Sequence, residues 1–412
     1  MLLNRLWIGM FLIAMATGLY RLIWAQELEI FKIMMDALFD AAKTAFEIAL
    51  YLTGALCFWL GIMKVGEKAG AIKAITRLIS PFFTKIFPEV PAEHPAMGSM
   101  VMNISANLLG LDNAATPLGL KAMNDLQELN PDKDTASNAQ IMFMVLNASG
   151  LTLIPVSILA LRASNGAANP TDIFLPILIT TYFSTLGALI YVCIRQRISL
   201  FQKNILIYLG ALTALIVSLL TFLLNYPQYI DSFSMIGSNL LLFGIITTFI
   251  VMAMRQKVNV YDSFIEGAKE GFQVSITIVP YLVAMLCVIA VFRASGSMDL
   301  LMDGIRFLFI EIGIRSVEFV DALPVAFMKP FSGSGARALM IDTWNSLGVD
   351  SFAGKLAATF QGSTETTFYV LAVYFGAVNI KNTRYAAIGG LIADLIGLIV
   401  GIFVAYLFFS KS

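Results

Sequence analysis

Nine stretches of this sequence stay apolar for about 17–25 residues, the length that carries a helix across roughly 30 Å of hydrocarbon. They are Leu6–Trp24, Phe46–Met63, Ile141–Leu161, Ile173–Ile194, Ile205–Leu224, Gly237–Met254, Val274–Phe292, Ala357–Val378 and Tyr385–Phe409. A chain inside a bilayer has no water to hydrogen-bond its backbone, so runs of this length fold as helices. The expected class is an all-α integral membrane protein. Composition agrees: 58% of the 412 residues are hydrophobic and 13% are charged, against about 25% charged in soluble domains. The bilayer is therefore the first partner of this chain.

Other classes are excluded by the same counts. The 27 basic and 27 acidic residues balance, and no basic block suggests nucleic acid. Cys57, Cys193 and Cys287 each lie inside an apolar run and read as small core residues. One histidine, His94, rules out a His-rich metal site; between Pro91 and Pro95 it reads as a structural hydrogen bonder at a turn. No glycine-rich loop followed by Lys-Ser or Lys-Thr occurs, and no serine elbow or triad stands out. Neither ATP hydrolysis nor another enzyme activity is expected, and no cofactor is called for. Arg5 and Leu6–Tyr20 could pass for a signal peptide. Arg21, Trp24 and Gln26 replace the small-residue cleavage pattern, so this segment reads as an uncleaved first span.

Lysine and arginine set the expected orientation, because they collect on the cytoplasmic side. Arg195, Arg197 and Lys203 place one loop inside, whereas Asn225–Ile236 has no Lys or Arg and is placed outside. Propagating this pattern puts the N-terminus, beside Arg5, in the cytoplasm of a bacterial inner membrane. It closes only if Ala96–Gln127 and Val325–Leu347 enter the membrane and leave on the same side. Each has a break rich in small or polar residues, at Gly110–Pro117 and at Ser332–Gly335, and reads as a re-entrant hairpin. Three amphipathic stretches, Ile30–Lys43, Ile72–Phe87 and Met298–Arg315, are expected at the interface or bracing a bundle.

The chain matches itself. Ala42–Phe46 corresponds to Ala268–Phe272, Tyr51-Leu52 and Leu56-Cys57 to Tyr281-Leu282 and Leu286-Cys287, Asn113–Ala115 to Ser334–Ala336, and Leu146–Ser149 to Phe360–Ser363. Four matches in one order divide the chain into an N-terminal repeat (1–198), two linker spans (199–261) and a C-terminal repeat (262–412). With the orientation above, the second copy starts on the opposite side, so the repeats are inverted. About nine crossings and two hairpins follow. Inverted repeats with interrupted helices are a common construction of secondary transporters.

Chemistry is expected where polar residues interrupt apolar runs. Gln361-Gly362-Ser363-Thr364-Glu365-Thr366-Thr367 puts seven residues with polar side chains or none inside Ala357–Val378. Glu365 is an ionisable group at depth, which points to function: to bind a cation, accept a proton or hold a substrate hydroxyl. The alternative is a structural ion pair with Arg337. In the first copy Asn147, Ser149 and Thr152 stand at the corresponding place, with Leu151 aligned to Glu365. The hairpin tips add Asn103, Asn107, Asn113 and Thr116 from the first, and Ser332, Ser334 and Arg337 from the second. Half-helix N-termini expected near Thr116-Pro117 and Ala336 would favour anions or carbonyl oxygens. The other reading of these tips is polar packing between close helices. Lys329 and Arg337 are as readily satisfied by nearby acids. Asp394, in the last span, could cap, pair or relay.

At these motifs the sequence resembles known families. His94-Pro95-Ala96, Ala106–Pro117 and Gly119–Met123 resemble spore maturation protein A. Gly267–Phe272, Phe292–Gly296, Ser332–Ala336 and Gln361–Tyr369 resemble spore maturation protein B. Both are similar to the nucleoside recognition, or gate, domains shared with concentrative nucleoside transporters and with the channel part of the ferrous iron transport protein B. In the nucleoside transporters a Gln-Thr-Glu signature contacts the nucleoside. Gln361, Thr364 and Glu365 resemble it, with Gly362 and Ser363 inserted. The iron channel's Cys-bearing motifs have no counterpart here. The resemblance implies a secondary transporter of a small polar organic solute, nucleoside-like or another metabolite, coupled to H+ or Na+ through Glu365. The alternatives are an exporter or channel for an anionic metabolite, and a non-transporting scaffold in envelope or spore-core assembly. A homo-oligomer is compatible with each.

Overall fold

The computed structural model describes residues 2–110, 112–229, 236–314 and 316–410, and the side chains of these except 2–4, 112–114 and 227. The chain begins with α1 (Leu2–Ile23). A first series follows: α2 (Ile30–Lys68), α3 (Ala71–Ile86), α4 (Pro95–Leu108), α5 (Asp112–Leu129), α6 (Asn138–Ala148), α7 (Val156–Ser164) and α8 (Phe174–Gln196). Two helices then link, α9 (Lys203–Asn225) and α10 (Ser238–Arg255). A second series follows: α11 (Val260–Ala294), α12 (Ser297–Glu311), α13 (Leu323–Met328), α14 (Gly333–Leu347), α15 (Phe352–Ser363), α16 (Thr367–Ala377) and α17 (Ala386–Phe409). Among the described residues there is no strand, only an isolated bridge between Thr135 and Asn382.

Among the described residues seven helices are long and apolar enough to cross a membrane: α1, α2, α8, α9, α10, α11 and α17. This all-α chain is a multi-pass membrane protein. Two of the nine expected runs, Ile141–Leu161 and Ala357–Val378, are not single helices. Each is split, by residues 149–155 and 364–366. A second difference lies in α2 and α11. Ile30–Lys43 was expected as a separate interfacial stretch, yet it continues unbroken into the next run to give a 39-residue helix. At 1.5 Å per residue α2 is about 58 Å long, nearly twice the hydrocarbon core, so it must tilt or project from the bilayer. Neither Gly nor Pro interrupts Ile30–Thr53, so nothing in the chain stops the helix at Lys43.

The hairpin breaks also differ in detail. In the first, α4 ends at Leu108, the chain turns through Gly110 at φ +69°, and α5 starts at Asp112. The N-terminus expected near Thr116-Pro117 therefore comes a turn earlier, with Pro117 inside α5. A left-handed glycine completes the turn without strain, so the helix need not wait for the proline. In the second, Ser332 Oγ accepts from the Gly335 N–H at 3.0 Å and caps α14, which begins at Gly333 rather than near Ala336. The Asn113 side chain, the loop centre at 230–235 and Arg315 lie outside the described residues.

Two helix pairs, each with one helix from either series, pack side by side and run antiparallel. Along α2 and α11, Cys287 faces the Leu38 carbonyl, Thr53 Oγ1 donates to Ser275 Oγ at 3.0 Å, and Lys68 pairs with Glu266. Along α8 and α17, Tyr191 meets Tyr385, Ser184 Oγ donates to the Ala393 carbonyl at 2.9 Å, and Thr180 lies near Gly401. Lipid tails are as apolar as leucine, so helices associate in a bilayer by close packing, which small residues allow. A Cβ on Gly271 would stand 2.7 Å from the Leu56 carbonyl oxygen, while one on Gly54 would meet nothing within 4 Å. Gly271→Leu should therefore cost about 1–3 kcal/mol through overpacking. The expected readout is a lower thermal midpoint in detergent, with Gly54→Leu unchanged.

Candidate functional site

The two split helices lie side by side with their breaks in contact. α6 is capped by Ser137 and Gln140 in a reciprocal box and ends at Ala148. Gly150 then turns at φ +66°, and a Cβ there would stand 2.7 Å from the Glu365 nitrogen. No other residue type lets the two chains approach this closely. The Glu365 N–H donates to the Ala148 carbonyl at 2.9 Å, joining break to break. Each break is also tied to the hairpin of its own series. The Leu153 N–H donates to Leu108 O at 2.8 Å, and the Phe368 N–H to Pro330 O at 3.0 Å. Thr181 Oγ1 donates to Gly150 O at 2.8 Å. These bonds satisfy backbone groups that the lost helical turns leave open.

The far ends are clasped too. At the end of α7, Arg162 is fully buried. Its guanidinium donates to Asp172 and Asp350 at 2.9 Å each and to the Val349 carbonyl at 2.9 Å, and Lys355 meets Asp172 at 3.0 Å. This holds the end of α7 to the start of α15. At the opposite end, Lys381 meets Asp134 at 3.0 Å, the Ala136 N–H donates to Asn382 O at 2.9 Å, and Arg384 donates to Ala136 O at 3.0 Å. This holds the end of α16 to the start of α6. Hydrogen bonds from the Thr135 side chain and the Asp134 backbone keep the nearby Asp132 carboxyl below its usual range.

Three cavities converge on Glu365, whose side chain is exposed into them. Among the described residues its carboxylate has no ion pair or hydrogen bond, so the expected alternative, pairing with Arg337, is not what the structure shows. One cavity, of about 130 Å³, is polar and is lined by Gln361, Thr364, Thr366, Thr152, Lys329 and Arg337. A second, of about 260 Å³, is lined by Asn107, Thr116, Asn147, Tyr369 and Tyr374. A third, of about 390 Å³, is an apolar sleeve between α3, α8 and α9 with Asn107, Asn147, Thr152 and Glu365 at its polar end. Amides, hydroxyls, one acid and two bases around cavities of this size, beside aromatic rings, can hold a small organic molecule.

Not every expected site residue reaches these spaces. Asn103 is buried behind them; its Nδ2 donates to Ala115 O at 2.8 Å and to Tyr374 Oη at 3.3 Å. Ser149 turns its hydroxyl to Leu146 O and Ser363 to Phe360 O. Thr367 donates to Asp394 at 2.7 Å on the other side of the break. Ser332 caps α14, with Ser334 beside it at 3.3 Å. These are packing and capping roles. Two residues of the 260 Å³ cavity were missed. Tyr374 donates to Asn147 Oδ1 at 3.0 Å, an oxygen that also accepts from Asn107 at 2.7 Å, and stacks on Phe143 with centroids 5.5 Å apart. It shares with Val370 and Val373, at i, i+3 and i+4, the face of α16 that lines this cavity, a spacing that would have found it. Tyr369 is the other.

The gate family model, described as nucleoside recognition, matches the chain over residues 49–165 and again over residues 275–381, more than half of its length. One break falls inside each matched stretch. Spore maturation protein A of Bacillus subtilis (strain 168) is 43% identical over 155 residues, 38% of this chain and 79% of that protein. Spore maturation protein B of the same organism is 46% identical over 157 residues, 38% of this chain and 86% of that protein. No solved structure matches.

The buried clasp can be tested directly. Arg162→Ala removes the buried guanidinium that ties Asp172, Asp350 and the Val349 carbonyl together and should cost about 3–5 kcal/mol. Arg162→Lys should rescue little, since an ammonium cannot span the same acceptors. Thermal unfolding of purified protein checks both, and an unchanged Arg162→Lys midpoint would contradict the fork geometry.

Proposed function

Because the chain belongs to the gate, or nucleoside recognition, family, we propose that it is a secondary transporter of a small polar organic solute in the bacterial inner membrane, rather than an enzyme. The observation that carries this reading is the meeting of two broken helices beside an exposed carboxylate in a ring of amides and hydroxyls. Bare backbone in a bilayer is tolerated where it is buried in protein or lines a wet cavity. Here it does both: Ala148 O and Glu365 N bond to each other, and Glu365 faces the cavities. Tyr369 and Tyr374 favour a solute with a planar apolar face, and Asn107, Asn147 and Glu365 favour hydroxyl or amine groups on its edge. A nucleoside-like compound has this chemistry.

Inverted repeats are part of the same proposal. The two seven-helix series follow one order, their equivalent helices pair antiparallel, and the two clasps join opposite ends of the same helix pair. Such a scaffold has two nearly equivalent arrangements facing opposite sides. Coupling to H+ or Na+ would set the direction. In a variant lacking Cys57, Cys193 and Cys287, a membrane-impermeant maleimide should label Asn165→Cys from outside intact cells. It should label Asn379→Cys only after permeabilisation. Labelling of both from one side would refute the inverted arrangement.

One observation favours a second reading. Lys329 and Arg337 line the polar cavity, and two cations there suit an anionic metabolite that is exported or conducted.

Uptake into proteoliposomes, screened over nucleosides, related polar metabolites and their anionic forms, tests the site. Glu365→Gln removes one charged acceptor, an interaction of about 1.5–3 kcal/mol and so roughly 10- to 100-fold in uptake. If that variant carries every solute as well as wild type, the site assignment is wrong.

A further inference from the structure

The break between α15 and α16 has a second polar face, turned away from the solute cavities and against α17. That helix offers Gly390, Asp394 and Gly397 on one face, spaced four and three residues apart. A Cβ on Gly397 would stand 3.2 Å from Thr364 Cγ2 and 3.3 Å from Ser363 Oγ. The glycines thus let the break settle onto α17 beside Asp394. Its Oδ2 accepts from Thr367 Oγ1 at 2.7 Å. Its Oδ1 is buried and accepts no hydrogen bond. Beside the carboxylate is a void of about 10 Å³, bordered by Lys329, Ser363 and Thr364. Asp394 lies beyond the family-matched residues, which end at 381.

An ionised carboxylate with one oxygen buried and without a hydrogen bond is costly. Either a metal cation or a proton would relieve it. The void holds one water at most, far from the several oxygens a hard cation collects. Ser363 Oγ already donates to Phe360 O at 2.9 Å. The Lys329 ammonium borders the same void and repels a second cation. A proton needs one oxygen lone pair and no volume. We propose that Asp394 is a proton-binding site, with Oδ1 as the atom that takes the proton.

Water supplies the proton through the void and receives it back, with no bond made or broken apart from O–H. α8 presents Ser184 and Gly187, and α6 presents Val145, to this stretch of α17. Among the described residues Lys329 is therefore the charged group at the void. Lys329 also lines the polar solute cavity, where Glu365 and Arg337 stand. Protonating Asp394 removes one negative charge beside Lys329 and so makes the field at the solute cavity more positive. Proton binding and the binding of an electronegative solute group then favour each other, as linkage requires of any two coupled sites. This last step rests on the transport reading; the proton site does not.

Infrared difference spectra of the purified protein in liposomes, recorded as pH is lowered, need no solute. Wild type should show the C=O band of a buried carboxylic acid. D394N should lose that band, and E365Q should keep it. T367V should shift its frequency, because the acid loses its hydrogen bond. A wild-type spectrum without such a band, or one unchanged in D394N, overturns the proposal. If D394N does not fold, T367V decides: a shifted band supports the site and an unshifted one refutes it. A failed spectrum leaves the uptake result untouched, and a failed uptake screen leaves the spectrum untouched.

Discussion

Backbone that leaves a helix inside a bilayer must find its hydrogen bonds within the protein, and the rest of this structure is arranged around two places where that happens. Breaking α6 from α7 and α15 from α16 opens N–H and C=O groups at residues 149–155 and 364–366. The bond from Glu365 N–H to Ala148 O closes one break upon the other. The bonds from Leu153 to Leu108 and from Phe368 to Pro330 draw each hairpin against its own break. The hairpins are therefore part of the solution to the backbone problem. The cavities lie where these four segments meet because only there is polar backbone already assembled.

The two clasps are matched in position and unequal in strength. Arg162 has no exposure and its partner Asp172 little, whereas Lys381 and Asp134 are 76% and 63% exposed. Exposed pairs contribute little, because water and salt compete for them; a buried arginine in a fork of acceptors is costly to break. One end of the broken-helix pair is thus locked and the other lightly held. On the transport reading proposed above, a scaffold of near-equivalent halves needs some such inequality to prefer one of two arrangements. Charge on a side chain at the loose end would shift that preference more readily than charge at the tight end.

Much of this was legible in the sequence because bilayers impose simple rules. Apolar length marked the membrane class, and a polar run inside Ala357–Val378 marked the second break. What escaped has physical causes. Charge at helical spacing made Ile30–Lys43 read as a surface stretch, but nothing stops a helix there, so α2 runs on. The break after α6 was less visible than the one after α15, because Leu151, Leu153 and Ile154 keep that run apolar; Asn147, Ser149 and Thr152, with Gly150 and Pro155 beside them, were its local signs. Arg162 was unreadable as a clasp, since Asp350 is 188 residues away. The hairpin serines looked like ligands, yet Ser332 serves its own helix. A hydroxyl beside a helix start is as often a cap as a site, and sequence alone does not separate the two.

Two carboxylates meet this second break from opposite faces, and their surroundings assign them different work. Glu365 projects into open cavity space, within reach of whatever enters. Asp394 is half-buried, with one oxygen bonded to Thr367 and the other buried and bare. A carboxylate that must recognise a solute has to be reachable, and one that must report protonation to the fold has to be shut in, where a single charge changes the local energy most. Thr364 and Thr367 stand between them, where residues 364–366 leave the helix. An unbroken helix in this position would keep the two faces apart, which is a physical reason for the break beyond the room it makes for a solute.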